Sequence, residues 1–210
     1  MILIVITLDM EDIKCRVLNL DAYADRMTHI PAEMEKMGIK WERFRAIDPP
    51  EQPASAYIGS TYSHQEILRG AEGALLVCED DVIFTDGARE VFDKAFSQLP
   101  EDWDMFYLGG NVKMPAERYS ENLFRIKGGV HCNHAIFYSE KARDFILTNY
   151  NQFTDIGYYD HWLYVTGLGL MNCYICYPVI AYQMPCFSNA RGAMMDYYGE
   201  MKENEKKHLI

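Results

Sequence analysis

The chain has 210 residues, of which 49% are hydrophobic and 24% charged, and it carries a formal net charge of −11 at pH 7. This size and composition predict one globular domain over residues 1–210, with 1–11 as a first strand or an extension and 200–210 as a solvated tail. The negative charge argues against nucleic acid or an anionic membrane as the main partner, because both attract basic surfaces.

In the first third of the chain, predicted strands alternate with helices. The expected elements are a strand at 16–21, a helix ending at Gly38, a strand at 41–47, a surface loop at 51–60 and a short helix starting at Ser63 and running to Arg69. Pro31 lacks a backbone donor, so the first helix is predicted to be kinked or to start late.

An apolar run at 74–77 leads into three consecutive carboxylates, Glu79, Asp80 and Asp81. Their mutual repulsion costs free energy unless a cation or strong donors neutralise them, and Mn²⁺ and Mg²⁺ prefer oxygen ligands. Residues two apart in an extended segment point the same way, so Glu79 and Asp81 are predicted to bind one cation and Asp80 to reach the ribose or sugar hydroxyls. The motif therefore indicates a metal-diphosphate site for a sugar nucleotide, and the alternative is a solvated turn.

The rest of the chain continues the alternation of strands and helices. The expected elements are a helix capped by Asp86 and ended by Pro100, a strand at 104–108, a loop or hairpin at 111–130, a strand at 135–138, a helix capped by Ser139, a helix at 159–165 and a strand at 174–177. This alternation predicts an α/β sandwich with a mainly parallel central sheet and helices on both faces.

The cysteines and the apolar runs indicate where the protein resides. The six cysteines lack the spacing of a disulfide framework or a zinc site, which favours a reducing, cytoplasmic location. Asp9 interrupts the apolar N-terminal run, and no later stretch approaches eighteen apolar residues. We therefore expect no transmembrane segment. The sequence does not indicate the oligomeric state.

Eight short segments between residues 12 and 190 follow the order and spacing of a known family. They are VLNLD at 17–21 with Asp25 and Arg26, FRAID at 44–48, GSTYSH at 59–64, LVCEDD at 76–81, WDMFYLG at 103–109, NHAIFYSEKA at 133–142, YDHWL at 159–163, and Gln183 with Ser188. Together they resemble glycosyltransferase family 25, the lipopolysaccharide and collagen galactosyltransferase group. One departure is Ser60, which stands where the family's Gly-Cys-x-x-Ser-His element has cysteine.

The resemblance implies a GT-A fold, a Rossmann-like sandwich, and a metal-dependent enzyme. Such an enzyme would move a hexose, galactose or glucose, from a UDP-sugar to a hydroxyl of a glycan or another acceptor, with inversion. Lipopolysaccharide or surface-glycan synthesis is the implied setting. Mn²⁺ or Mg²⁺ would be the cofactor and the UDP-sugar the donor substrate. Lipid-linked acceptors leave open a location peripheral to the inner membrane.

Transfer from a UDP-sugar also needs a base for the acceptor hydroxyl and contacts for the nucleotide. Asp160 is predicted to be the base, with Asp104 as the alternative, although Asp160 would also serve as a helix cap. The predicted nucleotide-binding residues are Asn19, Asp21, Asp25, Arg26, Ser63, His64 and Asp80. Further candidates for diphosphate binding are His131, His134, Asn189 and Arg191.

Two other functions stay open at the level of sequence. A non-catalytic, transferase-like domain would bind a nucleotide or glycan without turnover. A metal-dependent phosphoester hydrolase would use the same acids. Such hydrolases usually need further acids or histidines for a two-metal centre, and the sequence has no second cluster of comparable density.

Overall fold

The computed structural model describes residues 13–48, 55–150, 158–188 and 191–210. Its strands are β1 (Lys14–Asn19), β2 (Trp41–Arg45), β3 (Leu75–Glu79), β4 (Val82–Phe84), β5 (Met105–Tyr107), β6 (Asn111–Val112), β7 (Glu117–Arg118), β8 (Leu123–Ile126), β9 (Val130–His131), β10 (Ala135–Tyr138), β11 (Cys173–Cys176), β12 (Ala181–Gln183), β13 (Cys186–Ser188) and β14 (Ala193–Met195). Its helices are α1 (Ile30–Met37), α2 (Ser55–Arg69), α3 (Ala88–Ser97), α4 (Glu140–Asn149), α5 (Tyr159–Val165) and α6 (Tyr197–His208), with 3₁₀ helices at Asp21–Thr28 and Gly167–Leu170. The strand or extension predicted at 1–11 lies outside the described residues.

Eight strands form one central sheet, in the order β2-β1-β3-β10-β5-β11-β8-β7. β1 is parallel to β2 and β3, and β5 is parallel to β11, whereas β10 and β8 run antiparallel to their neighbours. Because β7 is antiparallel to β8, six of these eight strands point in one direction. The predicted α/β sandwich with a mainly parallel sheet is confirmed.

Helices cover both faces of this sheet, as predicted. The central strand β3 is buried at each position from Leu75 to Cys78, which explains its uninterrupted apolar sequence. One face is covered by α1 and α3 and the other by α2, α4 and α5. The helical side chains that pack on the two faces include Ile30, Met34 and Phe92 on the first and Ile67, Ile146 and Leu163 on the second.

Two predictions around the second helix were wrong. α2 begins at Ser55, so residues 55–60 are helical rather than a loop, and Ser63 lies inside the helix instead of at its start. The Ser63 hydroxyl donates to the Gly59 carbonyl at 2.7 Å and accepts from the Ile47 amide at 2.8 Å. A serine in the sequence suggests a helix cap. Inside a helix, however, its hydroxyl can donate to a carbonyl of the preceding turn and accept a hydrogen bond from a neighbouring segment. Residues 51–54 of the predicted loop lie outside the described ranges.

The two helix caps predicted in the second half of the chain had different outcomes. Ser139 caps α4, since its hydroxyl accepts from the Ala142 amide at 3.0 Å. Asp86 does not cap α3, because the residue before that helix is Gly87 at φ +70° and no side chain bonds the first turn. The left-handed backbone conformation at the cap position favours glycine, so Gly87 occupies that position and Asp86 lies one residue before it.

The last helix packs against the rest of the protein. α6 contacts β6 and β12, and Met201 and Leu209 are each 1% exposed. The Asn204 amide also donates to Asn111 Oδ1 at 2.8 Å. The segment 200–210, predicted to be a solvated helix or a frayed end, is thus mostly helical, and its charged residues cover the outer side of a helix anchored by Met201 and Leu209. Within the described ranges, no helix combines the length and the apolar character needed to cross a bilayer.

Candidate functional site

The acidic motif lies where two parallel strands end side by side. Asn19 ends β1 and Glu79 ends the neighbouring strand β3. Asp80 and Asp81 form the turn from β3 to β4. β4 pairs with β12, whose last residue is Gln183. The sheet therefore brings two segments, about one hundred residues apart in the chain, around one cluster of carboxylates.

Asp80 is held by two donors from the first strand and the 3₁₀ helix after it. Its Oδ2 accepts from Asn19 Nδ2 at 2.6 Å, and its Oδ1 accepts from the Arg26 guanidinium at 3.4 Å. Burial raises the pKa of Asp80 above its usual value, and both donors offset part of that rise. Arg26 also donates to the Phe187 carbonyl at 2.7 Å and covers the ring of Tyr23. Asp80 is therefore fixed in place.

Asn19→Asp is expected to destabilise the protein by about 2–3 kcal/mol, because it replaces a donor to a buried carboxylate with a second carboxylate. Urea unfolding at pH 7 measures this difference. Asn149→Asp is a suitable control, since its exposed side chain donates to the Phe145 carbonyl at the end of α4 and the change should alter stability by less than about 0.5 kcal/mol. Equal losses in both variants would contradict the role given to Asn19.

Asp81 is buried with one oxygen unpaired. Its Oδ2 accepts from Gln183 Nε2 at 3.1 Å and from the Cys186 thiol at 3.7 Å. Its Oδ1 is buried and has no hydrogen-bond partner among the described residues. Burial, together with the charges of Glu79 and Asp80, raises the pKa of Asp81 well above its usual value. A cation placed here would remove both the repulsion and the unpaired oxygen.

Glu79 faces a histidine from α2. Its Oε1 is 3.1 Å from His64 Nε2, and His64 is itself 1% exposed. Burial by itself would raise the pKa of Glu79, but the hydrogen bond and charge of His64 lower it below its usual value, with smaller effects from His134 and Arg26. The extended geometry assumed for residues 79 and 81 ends at Glu79, because the next two residues form a turn. The role of Glu79 as a second metal ligand therefore stays a prediction.

These groups line a cavity of about 460 Å³ at the carboxyl ends of β1 and β3. The predicted site residues that line it are Asn19, Arg26, Ser63, Glu79, Asp80 and Asp81. Its other walls come from residues 46–48, near the end of β2, and from the hairpin β13–β14 with Tyr197. The cavity lies where open α/β sheets bind ligands, outside the carboxyl ends of their strands.

The structure does not bring every predicted nucleotide-binding residue into this cavity. Asp21 is exposed and pairs with Arg43 at 2.6 Å and Arg45 at 2.8 Å, both on β2, and these arginines lower its pKa. The Asp25 side chain is exposed outside the cavity lining, and His64 lies behind Glu79. Asp21 was predicted to bind the nucleotide because it follows the first strand. In the structure its carboxylate instead pairs with the two arginines of the neighbouring strand β2.

The two candidate bases lie in different parts of the fold. Asp104 precedes β5, accepts from the Asn172 amide at 2.8 Å and pairs with Lys141 at 3.0 Å, which are structural contacts away from the cavity. Asp160 lies in the first turn of α5, with its Oδ2 3.3 Å from His131 Nδ1. Asp160 is absent from the cavity lining among the described residues, and its role as the base stays a prediction.

Three of the remaining candidates for diphosphate binding, His131, His134 and Arg191, are absent from the cavity lining among the described residues. His134 is fully buried and its Nε2 lies 3.1 Å from the Ala181 carbonyl oxygen, with a pKa that burial lowers below the usual value. Arg191 is exposed, and a hydrogen bond with Tyr197 raises its pKa. Asn189 lies outside the described residues.

Sequence reasoning gave no role to several residues that line the cavity. Cys186, Phe187 and Tyr197 come from the last quarter of the chain, and Tyr23 from the first 3₁₀ helix. Gln183 belongs to the segments that resemble family 25, and this was the one signal that could have placed it in the site. Aromatic and sulfur side chains in short hairpins carry no spacing pattern that indicates a cavity wall.

The carboxylates of Asp81 and Glu79 are suited to a cation that is held jointly by the protein and by a substrate. Within the described part of the chain, no three His, Cys, Asp or Glu side chains form a ready-made metal cluster. Mg²⁺ and similar ions are often held by one or two carboxylates together with substrate phosphates. The unpaired oxygen of Asp81, next to Glu79 in the same cavity, offers that kind of donor set.

No protein-family model matches the sequence, and no curated protein matches it. Among solved structures, the chain is similar to a glycosyltransferase involved in the glycosylation of the major capsid of PBCV-1, with a TM-score of 0.49 and 10% identity over 91% of this chain and 98% of that one. It is also similar to a mutant Drosophila β1,4-galactosyltransferase 7 in complex with manganese, UDP-Gal and xylobiose, with a TM-score of 0.44 and 10% identity over 89% and 73% of the two chains. The inositol-1-phosphate CTP transferase from T. maritima gives a TM-score of 0.42 and 12% identity over 92% and 77%. Similarity of this size does not assign an activity.

Proposed function

We propose that this protein is a metal-dependent glycosyltransferase of the GT-A fold. It transfers galactose or glucose from a UDP-sugar to a hydroxyl of a glycan or another acceptor, with inversion, in lipopolysaccharide or surface-glycan synthesis. The observation that carries the proposal is the unpaired, buried oxygen of Asp81 in a cavity at the strand ends. The resemblance of eight segments to family 25 supports the choice of donor.

Asp81, with Glu79 as the second candidate ligand, would hold Mn²⁺ or Mg²⁺ in this site. The bound ion would supply Lewis acidity that neutralises the charge of the leaving diphosphate. Arg26 lies on the same side of the cavity, next to Asp80, and its guanidinium can pair with a phosphate oxygen. Because the chain carries a net negative charge, an anionic donor needs the positive charges of the metal ion and of the Arg26 guanidinium in order to bind.

The nucleoside would bind between the end of β1 and the middle of α2. Asn19, Tyr23 and Ser63 line this part of the cavity, and the volume of about 460 Å³ lies in the range of ordinary small-molecule sites. Asp80 stands between the metal position and Asn19, which suits the role predicted for it at the ribose or sugar hydroxyls. The hairpin β13–β14 closes the cavity on the other side.

Calorimetric titration of UDP, UDP-galactose and UDP-glucose tests the proposal. We expect binding of UDP and of one donor in the presence of Mn²⁺, and loss of that binding when the metal is removed with a chelator. A folded sample that binds none of the three nucleotides in Mn²⁺ would overturn the proposal. Donor binding without any release of UDP would favour the non-catalytic domain, and metal-dependent cleavage of simple phosphate esters would favour the hydrolase.

A further inference from the structure

His131 and Asp160 form a half-exposed pair held in a defined orientation. His131 ends β9, and its Nδ1 lies 3.3 Å from Asp160 Oδ2 in the first turn of α5. The imidazole also stacks on Tyr164, with ring centroids 4.0 Å apart and an angle of 10° between the planes. The side chains of His131 and Asp160 are 34% and 42% exposed. The carboxylate fixes the edge of the imidazole and the tyrosine fixes its face.

This contact determines which nitrogen of His131 can accept a proton. An ionised carboxylate oxygen only accepts hydrogen bonds, so the proton of the neutral imidazole must reside on Nδ1. Nε2 then carries the lone pair, and it has no hydrogen-bond partner among the described residues. A carboxylate that orients an imidazole in this way is the arrangement that turns histidine into a general base.

The segment that carries His131 is hydrogen-bonded to the strand that ends at the acidic turn. The Glu79 amide donates to the His134 carbonyl at 3.0 Å, and His134 is three residues after His131, a distance of at most roughly 10 Å for an extended chain. Cys132 lies between them with a left-handed backbone at φ 76°. Burial raises the pKa of the Cys132 thiol, and the charges of Asp160, Glu79 and Asp81 raise it further, so both groups of carboxylates act on this one thiol.

We infer that His131 takes the proton of the acceptor hydroxyl and that Asp160 positions it. This inference rests on the proposed transferase function and divides between two residues the role predicted for Asp160 alone. The acceptor O–H bond breaks as its proton moves to His131 Nε2, and the oxygen forms a bond with the anomeric carbon. The bond from that carbon to the diphosphate breaks, and its electron pair leaves with UDP. The half-exposed imidazolium, paired with Asp160, then returns the proton to water.

A second carboxylate, that of Glu200 on α6, also interacts with His131. Glu200 is itself held by Lys113 and by Asn111. Because Glu200 already has these two donors, Asp160 is the carboxylate that orients the ring.

The tautomer of His131 tests the inference without a known acceptor. In the folded wild-type protein, ¹⁵N shifts of the imidazole should show the proton on Nδ1, and Asp160→Asn should change this tautomer balance because its amide can donate instead of accept. A wild-type His131 with its proton on Nε2 would overturn the inference. Calorimetry with UDP and Mn²⁺ on the same samples tests the proposed function separately.

Turnover of UDP-galactose, with methyl β-galactoside or water as the acceptor, gives the second test. His131→Gln should lower kcat by about 100- to 10,000-fold with unchanged UDP affinity, and Asp160→Asn should lower it by a similar factor. The double variant should lose no more than either single variant, because the two residues act as a unit. His161→Gln is the matched control, since this exposed neighbour stacks on the same Tyr164 from farther away, with ring centroids 6.3 Å apart. Full activity in His131→Gln with activity lost in Asp160→Asn would make Asp160 the base and overturn the inference.

Discussion

Asp81→Asn is expected to weaken metal-dependent UDP binding by at least about 100-fold. The variant removes the carboxylate whose unpaired oxygen would hold the cation, and such an ion contributes several kcal/mol to the binding of a diphosphate. The variant should remain folded. Gln183 can still donate to the asparagine oxygen, and one of three adjacent negative charges is removed from a buried turn. Its thermal midpoint should equal or exceed that of the wild type.

Calorimetry of UDP with Mn²⁺ measures this affinity, and a thermal unfolding curve checks the fold. Asp86→Asn is the matched control, because Asp86 is exposed, lies five residues further along the chain and does not line the cavity. That variant should bind UDP as the wild type does. Retention of metal-dependent UDP binding in Asp81→Asn would show that another residue holds the metal.

Gly109→Ala is expected to destabilise the protein by about 3–5 kcal/mol, which can unfold a domain of ordinary stability. Gly109 follows β5, and a Cβ atom on it would overlap the carbonyl oxygen of Ala181 on β12. That carbonyl already contacts His134 Nε2. Since the obstacle is backbone of a paired strand, the overlap cannot be relieved by moving a flexible side chain.

Gly199→Ala, in contrast, is expected to stabilise the protein. Gly199 lies inside α6, and a Cβ atom there meets nothing within 4 Å. Alanine is favoured over glycine in a helix by about 1 kcal/mol, so this variant should be more stable than the wild type. Chemical denaturation of both variants measures the difference. A Gly109→Ala protein that unfolds at the wild-type denaturant concentration would refute the close approach of β5 and β12.

The fold could be predicted from the sequence because its signals are local. The apolar run before Glu79 and the alternation of strands with helices are periodic patterns that tertiary structure did not override. The errors arose where a local signal had two readings. Ser63 has the chemistry of a helix cap, and only the distant Ile47 amide shows why it lies inside α2. The charges after residue 200 suggested solvent, although Met201 and Leu209 anchor that helix.

The candidate site could be predicted only in part, for a related reason. The acids at 79–81 stand together in the chain, so one motif indicates their chemistry. The side-chain partners of Asp81, in contrast, are Gln183 and Cys186, and the pairing of β4 with β12 brings their segment to the acidic turn. Asp21 was predicted to be a site residue, but two arginines on the neighbouring strand β2 hold its carboxylate away from the cavity. Pairing across a sheet carries no signal within either segment.

The pairing of β4 with β12 also has a consequence for the newly made chain. Gln183 leaves the ribosome about one hundred residues after the acidic turn, which at roughly 5–20 residues per second is a delay of about 5–20 s. During this interval Asp81 lacks both of its C-terminal partners and the cavity lacks the wall formed by the hairpin β13–β14. On the proposed function, a donor nucleotide would therefore stabilise the protein only after synthesis has passed this hairpin and would not assist the folding of the earlier part.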